Sequence, residues 1–122
     1  MPPCVTLAKK MARKSTRRNR HGAVILSSGN PISCGYNKEK TSPHTEMNDY
    51  YETHAEEDAI RQLVRAEGGV NTKGMDILVV RIDGNDKLML SRPCPKCMEQ
   101  IKNAGFRKLY YSDYNGIKME VL

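Results

Sequence analysis

The sequence predicts an α/β domain built on one mixed, five-stranded sheet flanked by helices, with the last strand antiparallel to its neighbour. Three observations carry this. Short apolar runs rich in β-branched residues alternate with stretches of three-to-four apolar spacing through the middle of the chain. Glycine-marked hairpins stand near both ends, at Gly29–Asn30 and Asn115–Gly116. A length of 122 residues fits one domain, 1–122, with room for one real core.

Each element has its own signal. In "VTLAKKMARKSTRRNR", Leu7, Ala8, Met11, Ala12 and Ser15 fall on one helical face and charges on the other, so residues 1–20 read as a basic N-terminal helix. "GAVILSS" suits a buried strand, and "PISCGYN" pairs with it as a hairpin. From Lys38 to Thr53 the chain is polar, with Pro43 and the adjacent Tyr50 and Tyr51, and reads as a long functional loop that includes His44. "HAEEDAIRQLVRAEGG" returns to helix: Ala55, Ala59, Leu63 and Ala66 form its stripe, Ile60 and Val64 widen it, and Gly68–Gly69 stop it. "MDILVVRID" is a strongly apolar strand, and "KLMLSR" carries the chain back toward "PCPKC". Pro93 marks the approach to a further helix, "CMEQIKNAG". "FRKLYYSD" and "IKMEVL" complete the sheet, with Tyr110 and Tyr111 facing opposite sides of it.

Composition narrows the class. Trp is absent and Phe occurs once, so the core rests on Leu, Ile, Val, Met and Tyr. No apolar run approaches the ~20 residues of a membrane span, and "MPPCVTLAKK" lacks the apolar run of a secretory leader. The expectation is a soluble cytoplasmic protein with no membrane partner, whose two closely spaced cysteines serve a metal or redox role. The net charge is +6, but residues 1–20 alone carry Lys9, Lys10, Arg13, Lys14, Arg17, Arg18 and Arg20 with no acid, which leaves the rest at −1. The basic character is local, a patch suited to phosphates of a nucleotide or a nucleic acid, or simply a solvated face.

The chemistry centres on two stretches. Cys94 and Cys97 have the spacing at which one turn presents two thiolates to one metal, and the start of a helix there favours the thiolate form. His54 opens the other helix. If the two helix starts meet at one edge of the sheet, His54, Cys94 and Cys97 form a three-ligand zinc site. Three protein ligands leave the tetrahedron open for water, whereas a structural zinc would be closed by a fourth side chain. Glu56, in the first turn beside His54, is then placed to move protons. A closed zinc knuckle, with Glu56 a mere first-turn acid, needs a fourth ligand that is not apparent, and a thioredoxin-like CxxC pair would leave His54 and Glu56 unexplained. Cys4, Cys34, His21 and His44 are too scattered for a second metal.

"HAE" followed by "PCPKC" resembles the signature of the zinc-dependent cytidine and deoxycytidylate deaminase superfamily. "RHGAVIL" with "GYN", and "IKNAGFRKLYYSD", are similar to the flanking elements of CMP/dCMP-type deaminases, so the resemblance covers Arg20 to Asp113. It implies a three-layer cytidine-deaminase-like fold and one catalytic zinc held by His54, Cys94 and Cys97, with Glu56 as proton shuttle. It further implies that Asn37 holds the sugar or base, and that the backbone around Ala55 and Ser91–Arg92 meets the pyrimidine edge. The reaction implied is hydrolytic: metal-activated water attacks C4 of cytosine, Glu56 protonates N3 and then the amine, and ammonia leaves uracil.

Two substrate classes follow. One is a free cytosine nucleotide or nucleoside, dCMP or CMP, deoxycytidine or cytidine, with Arg92 or the basic segment neutralising any phosphate. The other is a nucleic acid, single-stranded DNA or RNA or tRNA, deaminated at cytosine or adenosine and gripped by residues 1–20. Small size and the resemblance of "IKNAGFRKLYY" favour the first, as does an antiparallel last strand by analogy within the superfamily, while the isoelectric point of 9.2 and the +7 of residues 1–20 favour the second. Relatives of this kind associate, so a homo-oligomer is expected.

Overall fold

The computed structural model describes residues 4–16, 18–39, 52–67 and 72–122. Helix α1 (Val5–Arg13) precedes strand β1 (Arg20–Ser27), which returns antiparallel as β2 (Asn30–Tyr36). Strands β3 (Lys38–Glu39) and β4 (Glu52–Thr53) form a small antiparallel pair leading into α2 (Ala55–Glu67). Then follow β5 (Asp76–Ile82), β6 (Leu88–Met89), α3 (Pro95–Asn103), β7 (Lys108–Asp113) and β8 (Gly116–Val121). The main sheet runs β2-β1-β5-β7-β8, with β6 beside the end of β5. Among the described residues only β5 and β7 are parallel, joined by the crossover through α3; β8 returns antiparallel to β7.

Both faces of the central strands are apolar because both are covered. Ala23, Ile25, Ile77, Val79 and Leu109 face α2 and α3, packing with Ala55, Ala59, Leu63, Met98 and Ile101. Val24, Leu26, Leu78 and Val80 face the other way, against Ala8 of α1. The result is three layers, with α1 the only helix on one side among the described residues. Two glycines set the distance between layers. A Cβ on Gly22 would strike the Ala8 carbonyl oxygen and come within 2.7 Å of the Ala12 nitrogen, and one on Gly35 would lie 2.5 Å from the Ala59 nitrogen. The helices therefore press backbone-close against β1 and β2 respectively.

Several expectations change in detail. The first helix ends at Arg13, so the basic segment is only partly helical: Lys14 caps it, Ser15 is buried, and Arg20 already belongs to β1. Part of the 38–53 loop is strand, because the backbone groups of Lys38 and Glu39 find partners in Thr53 and Glu52. "KLMLSR" adds a sixth, short strand where Met89 pairs with Arg81. On α2 the packed stripe ends at Leu63; Val64 and Ala66 are exposed. The last hairpin turns on Tyr114–Asn115, one residue earlier than expected, because the Asp113 carboxylate accepts the Asn115 N–H at 2.7 Å. His44, the two loop tyrosines and the Gly68–Gly69 stop lie outside the described residues. Tyr110 and Tyr111 sit half-buried against opposite core clusters. No helix among the described residues is long and apolar enough to cross a membrane.

Candidate active site

Two helix starts converge at one edge of the core. His54 immediately precedes α2, and its carbonyl accepts the Asp58 N–H at 3.0 Å. Cys94 is the extended cap of α3, and its carbonyl accepts the Met98 N–H at 2.8 Å, with Pro95 in the first helical position. Cys97 lies on the inner side of the first turn, buried, with Sγ 3.3 Å from His54 Nδ1.

The donor atoms of His54, Cys94 and Cys97 all lie within 4.8 Å of one another. A tetrahedral zinc with Zn–S of ~2.3 Å and Zn–N of ~2.0 Å requires donor separations of roughly 3.5–3.8 Å, so the set fits one zinc with small adjustments. Among the described residues no fourth His, Cys, Asp or Glu joins the group. Cys4 and Cys34 pack in the cluster facing α1, across the sheet from it. Burial, with the Glu56 carboxyl and Cys94 beside it, pushes the Cys97 thiol well above its ordinary range. Here those effects outweigh the helix dipole; a coordinating cation deprotonates such a thiol outright.

Glu56 points into this site with 6% of its surface exposed. Burial raises its carboxyl above the ordinary range, against the pull of its own backbone N–H, His54 and Cys97. Asp58, two residues on, is a support: its carboxylate accepts the Tyr36 N–H at 3.1 Å, meets Lys38 Nζ at 3.1 Å and accepts Gln62 Nε2 at 3.2 Å. It bolts the first turn of α2, and so His54 and Glu56, to the end of β2.

A cleft of about 310 Å³ opens over these groups. His54, Ala55 and Glu56 line one part, Ser91, Arg92, Pro93 and Cys94 another, and Asn19, His21, Asn37 and Arg81 a third. The predicted residues other than the buried Cys97 thus share one cleft, but their polar atoms are differently employed. Asn37 Oδ1 accepts the His21 N–H at 2.8 Å and its Nδ2 donates to the Asn19 carbonyl, which clamps β2 to the start of β1. Ser91 donates its hydroxyl to the Val79 carbonyl at 2.8 Å and its N–H to the Ser112 carbonyl at 2.9 Å, fixing the segment before Cys94 to the sheet. The Arg92 guanidinium meets both Glu120 oxygens, at 2.9 and 3.2 Å, which raises its pKa further. Asn19, Arg81 and Leu90 join the cleft from outside the sequence motifs, and of these Arg81 carries a local signal as the lone charge in the apolar run "ILVVRI".

Comparison with known proteins agrees with this geometry. Residues 3–113 match the family described as the cytidine and deoxycytidylate deaminase zinc-binding region. A search of curated proteins finds no match. Among solved structures, the chain is similar to apo dCMP deaminase from the cyanophage S-TIM5, at 23% identity over 91% of this chain and 84% of that one, with a TM-score of 0.61. That enzyme in complex with dCMP and dUMP gives 24%, 91%, 82% and 0.59. Cytidine deaminase from Burkholderia pseudomallei gives 17% identity over 96% and 88%, with a TM-score of 0.68. At these identities the likeness speaks for the fold.

Proposed function

The chain belongs to the zinc-binding cytidine and deoxycytidylate deaminase family, and on that premise we propose that it hydrolyses the cytosine of a free nucleotide or nucleoside to uracil with release of ammonia. The observation that carries this reading is Glu56: a buried carboxyl beside three converging metal donors, and outside the donor group itself.

In this reading His54, Cys94 and Cys97 hold zinc, which when bound lowers the pKa of a coordinated water toward ~7 and so supplies a nucleophile at neutral pH. Glu56 takes the proton from the attacking water and delivers it to N3 of the ring; a second transfer puts a proton on the amine as it leaves. Burial beside the donor group suits Glu56 to this exchange, since it keeps the carboxyl close to the reacting atoms and away from bulk water. The backbone at Ala55 and at Ser91–Arg92 meets the base, with the segment held in place by the Ser91 bonds. Asn37 acts from the far wall, its amide already locked to Asn19 and His21.

The nucleic-acid reading rests on the basic residues near the N-terminus. Helix α1, with Lys9, Lys10 and Arg13, packs on the face of the sheet opposite the metal donors, and this supports a free substrate over a polynucleotide. The test is a product assay with the purified protein on cytidine, deoxycytidine, CMP, dCMP and a single-stranded oligonucleotide, at two salt concentrations. Uracil formation from a free substrate, lost in Glu56→Gln, is expected. Turnover of the oligonucleotide alone, falling steeply with salt, would transfer the proposal to nucleic acid.

A further inference from the structure

The cleft holds two guanidinium groups, and they are in opposite states. Arg92 is matched in charge by Glu120. Arg81 is not: its Nη2 donates to Asn19 Oδ1 at 3.0 Å, a neutral amide, and among the described residues no carboxylate lies within ion-pair distance of it. Its position is equally specific. Arg81 stands near the C-terminal end of β5, on the strand face that carries Ile77 and Val79 toward α2 and α3. Directly opposite it on β1 is His21, in the cross-strand register that puts both side chains on one face. The crevice outside the carboxyl ends of the strands is where open α/β sheets take their ligands.

The surroundings hold this pair in place. Asn19 orients the guanidinium, and Asn37 in turn ties down the Asn19 carbonyl and the His21 backbone. A partly exposed guanidinium with no carboxylate partner among the described residues, held by a neutral amide beside an imidazole, is a ready place for an anion. A guanidinium matches a phosphate with two parallel hydrogen bonds. Resting on the deaminase reading above, we propose that Arg81, oriented by Asn19 and flanked by His21, binds the 5′-phosphate, so that the substrate is a pyrimidine nucleoside monophosphate and not the free nucleoside. The cation that the sequence offered for this role, Arg92, then serves to hold β8 to the segment before Cys94.

The experiment pairs turnover with binding. Wild type and Arg81→Gln are assayed on dCMP, CMP, deoxycytidine and cytidine, and the products dUMP and deoxyuridine are titrated calorimetrically. Wild type is expected to favour monophosphates. Arg81→Gln is expected to lose about 10- to 100-fold in kcat/KM on them, mainly through KM, with nucleoside turnover within about threefold. Affinity for dUMP should fall in parallel while that for deoxyuridine holds. Equal losses on both substrate classes, or a wild type indifferent to the phosphate, would overturn the assignment while leaving the deaminase reading intact. Absence of any turnover, with dUMP still bound tightly and only through Arg81, would sink the deaminase reading and leave the phosphate site standing.

Discussion

The hydroxyl oxygens of Ser91 and Ser112 lie 2.9 Å apart at the point where β5, β6 and β7 meet. Ser112 donates to the Met89 carbonyl at 2.6 Å and receives the Arg81 N–H at 3.0 Å, while Ser91 receives the Ser112 N–H at 2.8 Å. Two side chains thus close the backbone bonds of three strands where β6 departs toward Cys94. Removal of either hydroxyl leaves buried partners unsatisfied. Ser91→Ala and Ser112→Ala are each expected to cost about 1–3 kcal/mol in urea unfolding. The double variant should cost less than the sum of the two. Strict additivity would show that the two hydroxyls act separately.

Glu56→Gln separates chemistry from stability. Its turnover is expected to fall ~10²–10⁴-fold, the range for loss of positioned acid–base transfer. Zinc per chain, measured by elemental analysis, should be unchanged, since Glu56 stands outside the donor group. Thermal unfolding of the zinc-free variant should occur at higher temperature than that of the zinc-free parent. A buried carboxyl disfavoured by its surroundings is a cost to the fold. Near-normal rates in Glu56→Gln would refute the shuttle role.

Asp58→Ala should weaken the site without touching it. The substitution strands the Tyr36 N–H and the Lys38 ammonium at the start of α2. Because Lys38 is partly exposed, the loss is set mainly by the backbone partner, about 1–3 kcal/mol by denaturant unfolding. Competition with a chromophoric chelator should also reveal weaker zinc binding, through a looser His54. Unchanged zinc affinity would mean that His54 is held by other contacts.

Gly22→Ala and Gly35→Ala test the two layers against each other. Each added methyl meets helix backbone that cannot swing aside, so each should destabilise the fold by about 1–3 kcal/mol or more. Their effects on the site should differ. Gly35 abuts α2, which follows His54 and carries Glu56, so Gly35→Ala should lower zinc affinity; Gly22 abuts α1, and its variant should bind zinc normally once folded. Equal effects on zinc would mean that the two layers move together.

Much of this was legible in local patterns. Unbroken apolar runs through "AVIL" and "ILVV" mark buried strands, and the structure covers both of their faces. The histidine–glutamate pair and the CxxC turn were readable because metal ligation demands particular residue types at short spacing. The last hairpin turns one residue before Asn115–Gly116, where the Asp113 carboxylate accepts the Asn115 N–H. Strand β6 has no sequence signal because two residues carry no periodicity. Ser112 and Asp58 give no signal: Ser91 lies 21 residues from the one and Tyr36 lies 22 residues from the other, and nothing in a serine or an aspartate says whom it will meet.

By itself, then, the sequence determined the α/β class, the antiparallel return of the last strand and the residue types of a three-donor metal site with its neighbouring carboxyl, because each is a matter of spacing along the chain. Only the tertiary structure decided that the two helix starts meet, that Arg92 is consumed by Glu120 while Arg81 faces the cleft without a carboxylate among the described residues, and that the basic helix lies across the sheet from the metal donors. Those are facts about distance between segments remote in sequence. They depend on the order in which strands pair and the face on which each helix lands, neither of which is written in any one stretch of residues.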